Sequence, residues 1–129
     1  MSDRVLEETA ARRSGEPADE SVRVSQTDLV AALCNKLGAT QVGYVVDRNK
    51  STISRWRSGA VEAGEASLRP LRVCFQIFRM LESVDADETI RAWFMGHNPQ
   101  LDDSSPLEAI RGGKNREVLA AARAFASGG

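Results

Sequence analysis

The chain has 129 residues, a formal net charge of −1, 42% hydrophobic and 27% charged side chains, two cysteines and one histidine. Such a composition fits one soluble domain with enough apolar surface for a core of its own. It leaves no room for a membrane span, which needs roughly 18 consecutive apolar residues, or for a disulfide-rich scaffold.

Residues 1–10 carry Asp3, Arg4, Glu7 and Glu8, so they hold no apolar secretory core. Cys34 and Cys74 both fall in apolar stretches and lack CxxC spacing, which predicts buried free thiols in a reducing cytoplasm rather than a zinc site. Residues 1–24, with four basic and six acidic side chains plus Gly15 and Pro17, read as a flexible polar arm. Ser25 is placed to cap a helix over 25–36, with Leu29, Val30, Leu33 and Leu37 at helical spacing and Gly38 as its stop. A short helix over 40–46 turns Val42 and one of Val45 and Val46 inward, and Asp47-Arg48 makes a turn. Asn49 caps a third helix over 50–58, which Gly59 ends.

A longer helix covers about 65–83, its start drawn toward Leu68 because Pro70 is tolerated only in a first turn. Its stripe runs through Leu68, Leu71, Phe78 and Leu81, with either Cys74 or Phe75 between. Val73, Ile77 and Met80 broaden the stripe, so the helix is either the centre of the core or a dimer surface. Asp85 with Glu88 predicts a capped helix to Met95. A loop with Gly96, Pro99 and 102–104 follows, then a Ser105-Pro106 helix start, a Gly112-Gly113 break and a last helix over 115–125. Leu101, Leu107, Ile110, Val118, Leu119 and Phe125 supply the apolar face of this region. Trp56 and Trp93 read as core tryptophans and His97 as a loop residue. Nothing alternates with period two, so the expected fold is all-α: an arm (1–24), a helix-turn-helix region with a long core helix (25–83) and a small C-terminal helical region (84–129).

The strongest local signal is chemical. Arg48, Lys50, Arg55 and Arg57 crowd the window 48–57, which holds no acid. On a helical wheel of about 100° per residue, Ile53 and Trp56 share one face while Ser51, Ser54, Arg55 and Ser58 point away. Arginine pairs bidentately with guanine, and serine donates or accepts at any base edge. Lys50 at the helix start is within reach of phosphate or base, while Arg48, Thr52 and Arg57 suit phosphates, which set register rather than sequence. The candidate DNA-binding set is therefore Arg48, Asn49, Lys50, Ser51, Thr52, Ser54, Arg55 and Arg57. The competing reading is an ordinary solvated basic face. The run from Ser51 to Gly59, Ser-Thr-Ile-Ser-Arg-Trp-Arg-Ser-Gly, resembles the second helix of Xre/Cro-type DNA-binding domains, which implies an Xre/Cro-like helix-turn-helix bundle.

The C-terminal half has an equally specific order of motifs. Trp93, Asn98-Pro99, Pro106-Leu107, Gly113 and Val118-Leu119 resemble the toxin-binding domain of the Xre/MbcA/ParS antitoxin family, though the loop 102–105 is more acidic and serine-rich than that pattern. The resemblance spans about 25–129. It implies an antitoxin of a type II toxin–antitoxin system, paired with a RES-domain toxin that degrades NAD and binding a double-stranded operator as a homodimer or higher assembly. It also implies that the last helix and tail meet the toxin, with Arg116, Leu119, Arg123, Phe125 and Gly129 as candidate contacts. On this reading, deleting 115–129 should remove toxin binding and leave DNA binding intact. The alternative is a stand-alone regulator of the same fold. Neither reading calls for catalytic residues, a metal, a cofactor or a membrane, and both belong in the cytoplasm.

Overall fold

The structure is a computed structural model that describes residues 15–128, with side-chain surroundings from residue 25 onward. Residues 1–14 of the expected arm and Gly129 lie outside the described residues. In order, α1 covers Gly15–Leu37, α2 Ala39–Val46, α3 Lys50–Ser58, α4 Glu65–Leu81, α5 Asp87–Met95, α6 Pro106–Arg111 and α7 Asn115–Ala126, with one 3₁₀ turn at Pro99–Leu101. No strand occurs among the described residues, so the fold is all-α.

The first helix begins ten residues ahead of the expected Ser25 start, and the boundary at 24/25 falls inside it. Pro17 is its third residue, where the missing N–H has no partner to lose, and no glycine or proline follows before Gly38. The polar composition of 15–24 suggested an arm, but its one glycine and one proline, Gly15 and Pro17, both fall in the first turn, where they do not interrupt a helix. Gly38, at φ 102°, ends α1 by donating its N–H to the Cys34 carbonyl at 3.0 Å, and its own carbonyl then accepts from Val42 at 3.1 Å in α2.

The centre of the molecule is α4, which packs against α1, α2, α6 and α7. Leu68, Leu71, Cys74, Ile77, Phe78 and Leu81 are buried, and Val73, Phe75 and Met80 are partly buried against the same core. The breadth of its apolar surface is thus used within the chain, and Cys74 rather than Phe75 holds the inner position. The helix starts at Glu65 rather than near Leu68, because the Gly64 carbonyl accepts from the N–H groups of Ser67 (3.1 Å) and Leu68 (3.0 Å) and closes the first turn upstream of the proline. Pro70 then withholds one N–H from the carbonyl of Ala66, a solvent-exposed residue.

Asp85 does not cap α5. Its N–H extends the preceding turn to the Leu81 carbonyl (3.0 Å), and Ala86 stands at the N-cap without a side-chain bond. The local charges are organised instead around Lys36, whose ammonium lies 3.0 Å from Glu82 and 3.1 Å from Asp87, 5.6 Å from the Phe78 ring centroid. The hydrogen bonds that the ammonium donates, to Glu82 first and then Asp87, raise the lysine pKa. Arg91 Nη1 donates to the Lys36 carbonyl at 3.3 Å, so the last turn of α1 is tied to α4 and α5 together.

Ile90 and Phe94, four residues apart, fill the inward face of α5, and Phe94 stacks on Phe78 at 6.1 Å. This leaves Trp93 on the flank. It is half-buried rather than a core tryptophan, edge-on to Phe94 at 5.3 Å and 6.0 Å from Phe125, whereas Trp56 is buried as expected. Val118, Ala121 and Ala122 of α7 are buried against α4; the two alanines were absent from the expected face because they carry little hydrophobic signal of their own. The buried side chains of 25–83 and 84–129 form one cluster. Deleting 115–129 would therefore open that core, so the deletion does not leave the rest of the fold intact as expected.

Candidate DNA and partner surfaces

The α2–α3 unit is built by close approach. The Arg48 N–H donates to the Gly43 carbonyl at 3.0 Å, and a Cβ on Gly43 would stand 2.7 Å from the Arg48 carbonyl oxygen. Only glycine lets the turn fold back this tightly onto α2. Asp47 makes the reversal in the left-handed region (φ 57°, ψ 51°), a conformation that aspartate tolerates better than most residues. Asn49 Oδ1 then accepts the Thr52 N–H at 2.9 Å and starts α3, while Gly59 (φ 84°) closes it. Ile53 and Trp56 are buried as the wheel predicted, with Val42, Val45 and Val46 of α2 buried beside them in the core.

This packing holds Lys50, Ser51, Ser54, Arg55, Arg57 and Ser58 in solvent, with Thr52 half-buried. Ser51, Ser54, Arg55 and Ser58 occupy the middle of the exposed face; Lys50 and Arg57 share one flank and Thr52 lies on the other. The Arg55 guanidinium is held along the helix, donating to Ser51 Oγ at 3.0 Å and reaching Thr52 Oγ1 at 3.5 Å. Arg48 folds back on the carbonyls of Asp47 (3.1 Å) and Val46 (3.5 Å), and the Asn49 side-chain oxygen is committed to its cap. Seven of the eight candidate residues thus lie on α3 or at its cap, and Arg48 stands on the turn. Burial raises the Cys34 thiol pKa, and the Arg57 charge pulls it partly back.

On α7, Arg116 and Arg123 are exposed on one side, with exposed Ala120 between them. Leu119 and Phe125 are partly buried against the chain's own core, and Gly129 lies outside the described residues. One participant escaped the sequence reading. Arg111, the last residue of α6, places Nη2 3.1 Å from Asp47 Oδ1 and its guanidinium carbon 4.6 Å from the Tyr44 ring centroid. The 64 positions between the partners leave no local pattern that could have announced the pair. Gly43 did carry a signal, a glycine inside the apolar run Val42–Val46, where a residue of higher helix propensity would otherwise be favoured.

The compact α-helical body presents a capped basic helix at one site and an arginine-bearing helix at another. The known proteins it is similar to are named antitoxins. The chain is homologous to the mycobacterial cidal antitoxin MbcA: it is 27% identical over 101 residues to that of Mycobacterium bovis and to those of two strains of Mycobacterium tuberculosis, covering 77% of this chain and 89% of each relative. Its fold matches the crystal structure of the M. tuberculosis MbcT–MbcA toxin–antitoxin complex with a TM-score of 0.67 and 25% identity, covering 79% of this chain and 94% of the matched one. No protein-family model matches the chain. No single helix among the described residues is long and apolar enough to cross a membrane.

Proposed function

We propose that this chain is the antitoxin of a two-protein system, binding its toxin through the exposed side of α7 and the adjoining tail, and repressing its own operon through α3. One observation carries the reading: the homologous chain that shares its fold over most of its length was crystallised as a complex with a toxin. The motif order from Trp93 to Leu119 supports a RES-domain, NAD-degrading toxin as the partner. Arg116, Arg123 and the tail ending in Gly129 then meet the toxin directly, while Leu119 and Phe125 mainly hold α7 in place.

For DNA, the flank of Lys50 and Arg57 suits the phosphate backbone and the central face of Ser51, Ser54 and Arg55 suits base edges in a major groove. Arg55 must exchange its Ser51 hydrogen bond for a guanine, a swap between hydrogen bonds of similar kind. A recognition helix of nine residues reads a short half-site, so a homodimer or higher assembly on paired half-sites completes the operator complex. Both activities belong in the cytoplasm.

The test is co-purification with the product of the adjacent gene, followed by NAD consumption with and without this chain. A stable complex with suppressed NAD loss is the expected result. No complex, beside a neighbour that leaves NAD untouched, would overturn the toxin assignment and leave a stand-alone helix-turn-helix regulator.

A further inference from the structure

Arg111 belongs to α6, in the C-terminal half, yet its side chain ends on the DNA-binding unit. The guanidinium pairs with Asp47 Oδ1 at 3.1 Å and covers the Tyr44 ring at 4.6 Å. Both contacts fall on the hinge of that unit. Tyr44 is in the last turn of α2, and its carbonyl accepts the Asp47 N–H at 3.3 Å; Asp47 is the left-handed residue that reverses the chain; Asn49, two residues on, caps α3. The direction in which α3 projects is set across these few residues. A two-point clamp, one charge and one ring, fixes the outer side of the turn, while Gly43 and Arg48 fix its inner side. Arg111 is itself held, because α6 packs on α2, α4, α5 and α7 and buries Leu107, Ala109 and Ile110.

We infer that Arg111 is a positioning residue for DNA recognition, clamping the Tyr44–Asp47 turn from the C-terminal half and so fixing the pose of α3. The inference rests on the DNA-binding reading above. Its consequence is that displacement of α6, by a partner or by mutation, reaches the DNA-binding helix through one side chain.

The experiment uses the full chain and a labelled duplex carrying the DNA immediately upstream of its own gene, titrated by anisotropy at several salt concentrations. Arg111→Ala should weaken binding about three- to tenfold, in the range by which residues linking two sites modulate each other. Thermal stability should stay close to wild type, since the side chain is 41% exposed. Arg111→Lys should recover part of the loss, because an ammonium still pairs with Asp47 and still lies over Tyr44. Arg111→Ala should cost little more once Asp47→Asn and Tyr44→Leu together have removed both of its partners, and the slope of log affinity against log salt should not change.

A direct phosphate contact would behave differently. Its loss would add fully to that of the Asp47→Asn, Tyr44→Leu double variant and would lower the salt slope by about one; that result would overturn the inference. So would an Arg111→Ala protein that binds within twofold of wild type. If the wild-type chain does not bind the duplex while folded, it is the DNA-binding reading that fails, and the inference falls with it.

Discussion

Replacing Gly43 by alanine sets two opposing effects against each other. Inside a helix, glycine to alanine ordinarily stabilises by about 1 kcal/mol, because the glycine backbone gives up more freedom on folding. At this position the new Cβ would lie 2.7 Å from the Arg48 carbonyl oxygen, well inside contact distance, and 3.8 Å from Ile53 Cγ1, which is comfortable. The oxygen is backbone, and the Arg48 N–H is already bonded to the Gly43 carbonyl at 3.0 Å, so relief requires the whole turn to move off α2. Overpacking of this kind costs about 1–3 kcal/mol, and more where backbone must move. The clash wins, and a net loss of about 1–2 kcal/mol is expected. For a chain of this length, that lowers the melting temperature by about 3–8 °C. Urea and thermal melts followed by circular dichroism give the number. A second glycine serves as the control: Gly64 is the N-cap of α4 with open space around its Cβ position, so Gly64→Ser should gain a few tenths of a kcal/mol. A Gly43→Ala protein as stable as wild type would refute the claim that the turn closes against that α-carbon.

Three further outcomes are expected. Arg55→Ala should weaken operator binding by about 1–3 kcal/mol in a mobility-shift titration at fixed salt, if the arginine reads a base, and leave partner binding intact. Reversing Arg116 and Arg123 to glutamate, which leaves the buried Val118, Ala121 and Ala122 in place, should abolish toxin neutralisation in cells without changing the melting temperature; continued protection would remove this face of α7 from the mechanism. Burial pushes the Cys74 thiol up to about 12, so above about pH 8.5 the unfolded chain releases a proton that the folded chain keeps. Stability should then fall as pH rises, by about 1.4 kcal/mol per unit from this group, with Cys34 and Lys36 acting in the same direction. Urea midpoints of wild type and Cys74→Ala between pH 8 and 10.5 should converge; parallel curves would contradict the account.

The parts of the fold that could be read from sequence are those whose cause is local. Asn49 and Gly59 bracket α3 because a side-chain oxygen and a missing Cβ act within three residues of where they stand. Ser105-Pro106 marks α6 for the same reason, with Ser105 Oγ accepting the Glu108 N–H at 3.0 Å. The exposed set on α3 followed from the wheel once Ile53 and Trp56 were assigned inward. The departures come from backbone hydrogen bonds and tertiary packing that the residue types do not announce. The cap of α5 fell to Ala86 because the Asp85 N–H is bound to the Leu81 carbonyl in the preceding turn. Trp93 was displaced from the core by Ile90 and Phe94, which point at Phe78 on another helix. Pro70 sits deeper in α4 than expected because the Gly64 carbonyl closes a turn ahead of it. The Arg111 clamp depends on the packing of α6 against α2, which no single stretch of sequence encodes.

The common core has a consequence that fluorescence can display. Trp56 lies in the first half of the chain, on the buried face of α3, and Trp93 in the second, only half-buried. Their emission should differ in colour, yet each is wired into the same cluster of buried side chains. Trp56→Phe and Trp93→Phe variants, each leaving a single reporter, should therefore lose their native signal at a midpoint that coincides with that protein's far-ultraviolet circular dichroism transition. Two optical probes, one in each half of the polypeptide, would then be tracking one cooperative event, and two midpoints would mean two separately melting bodies.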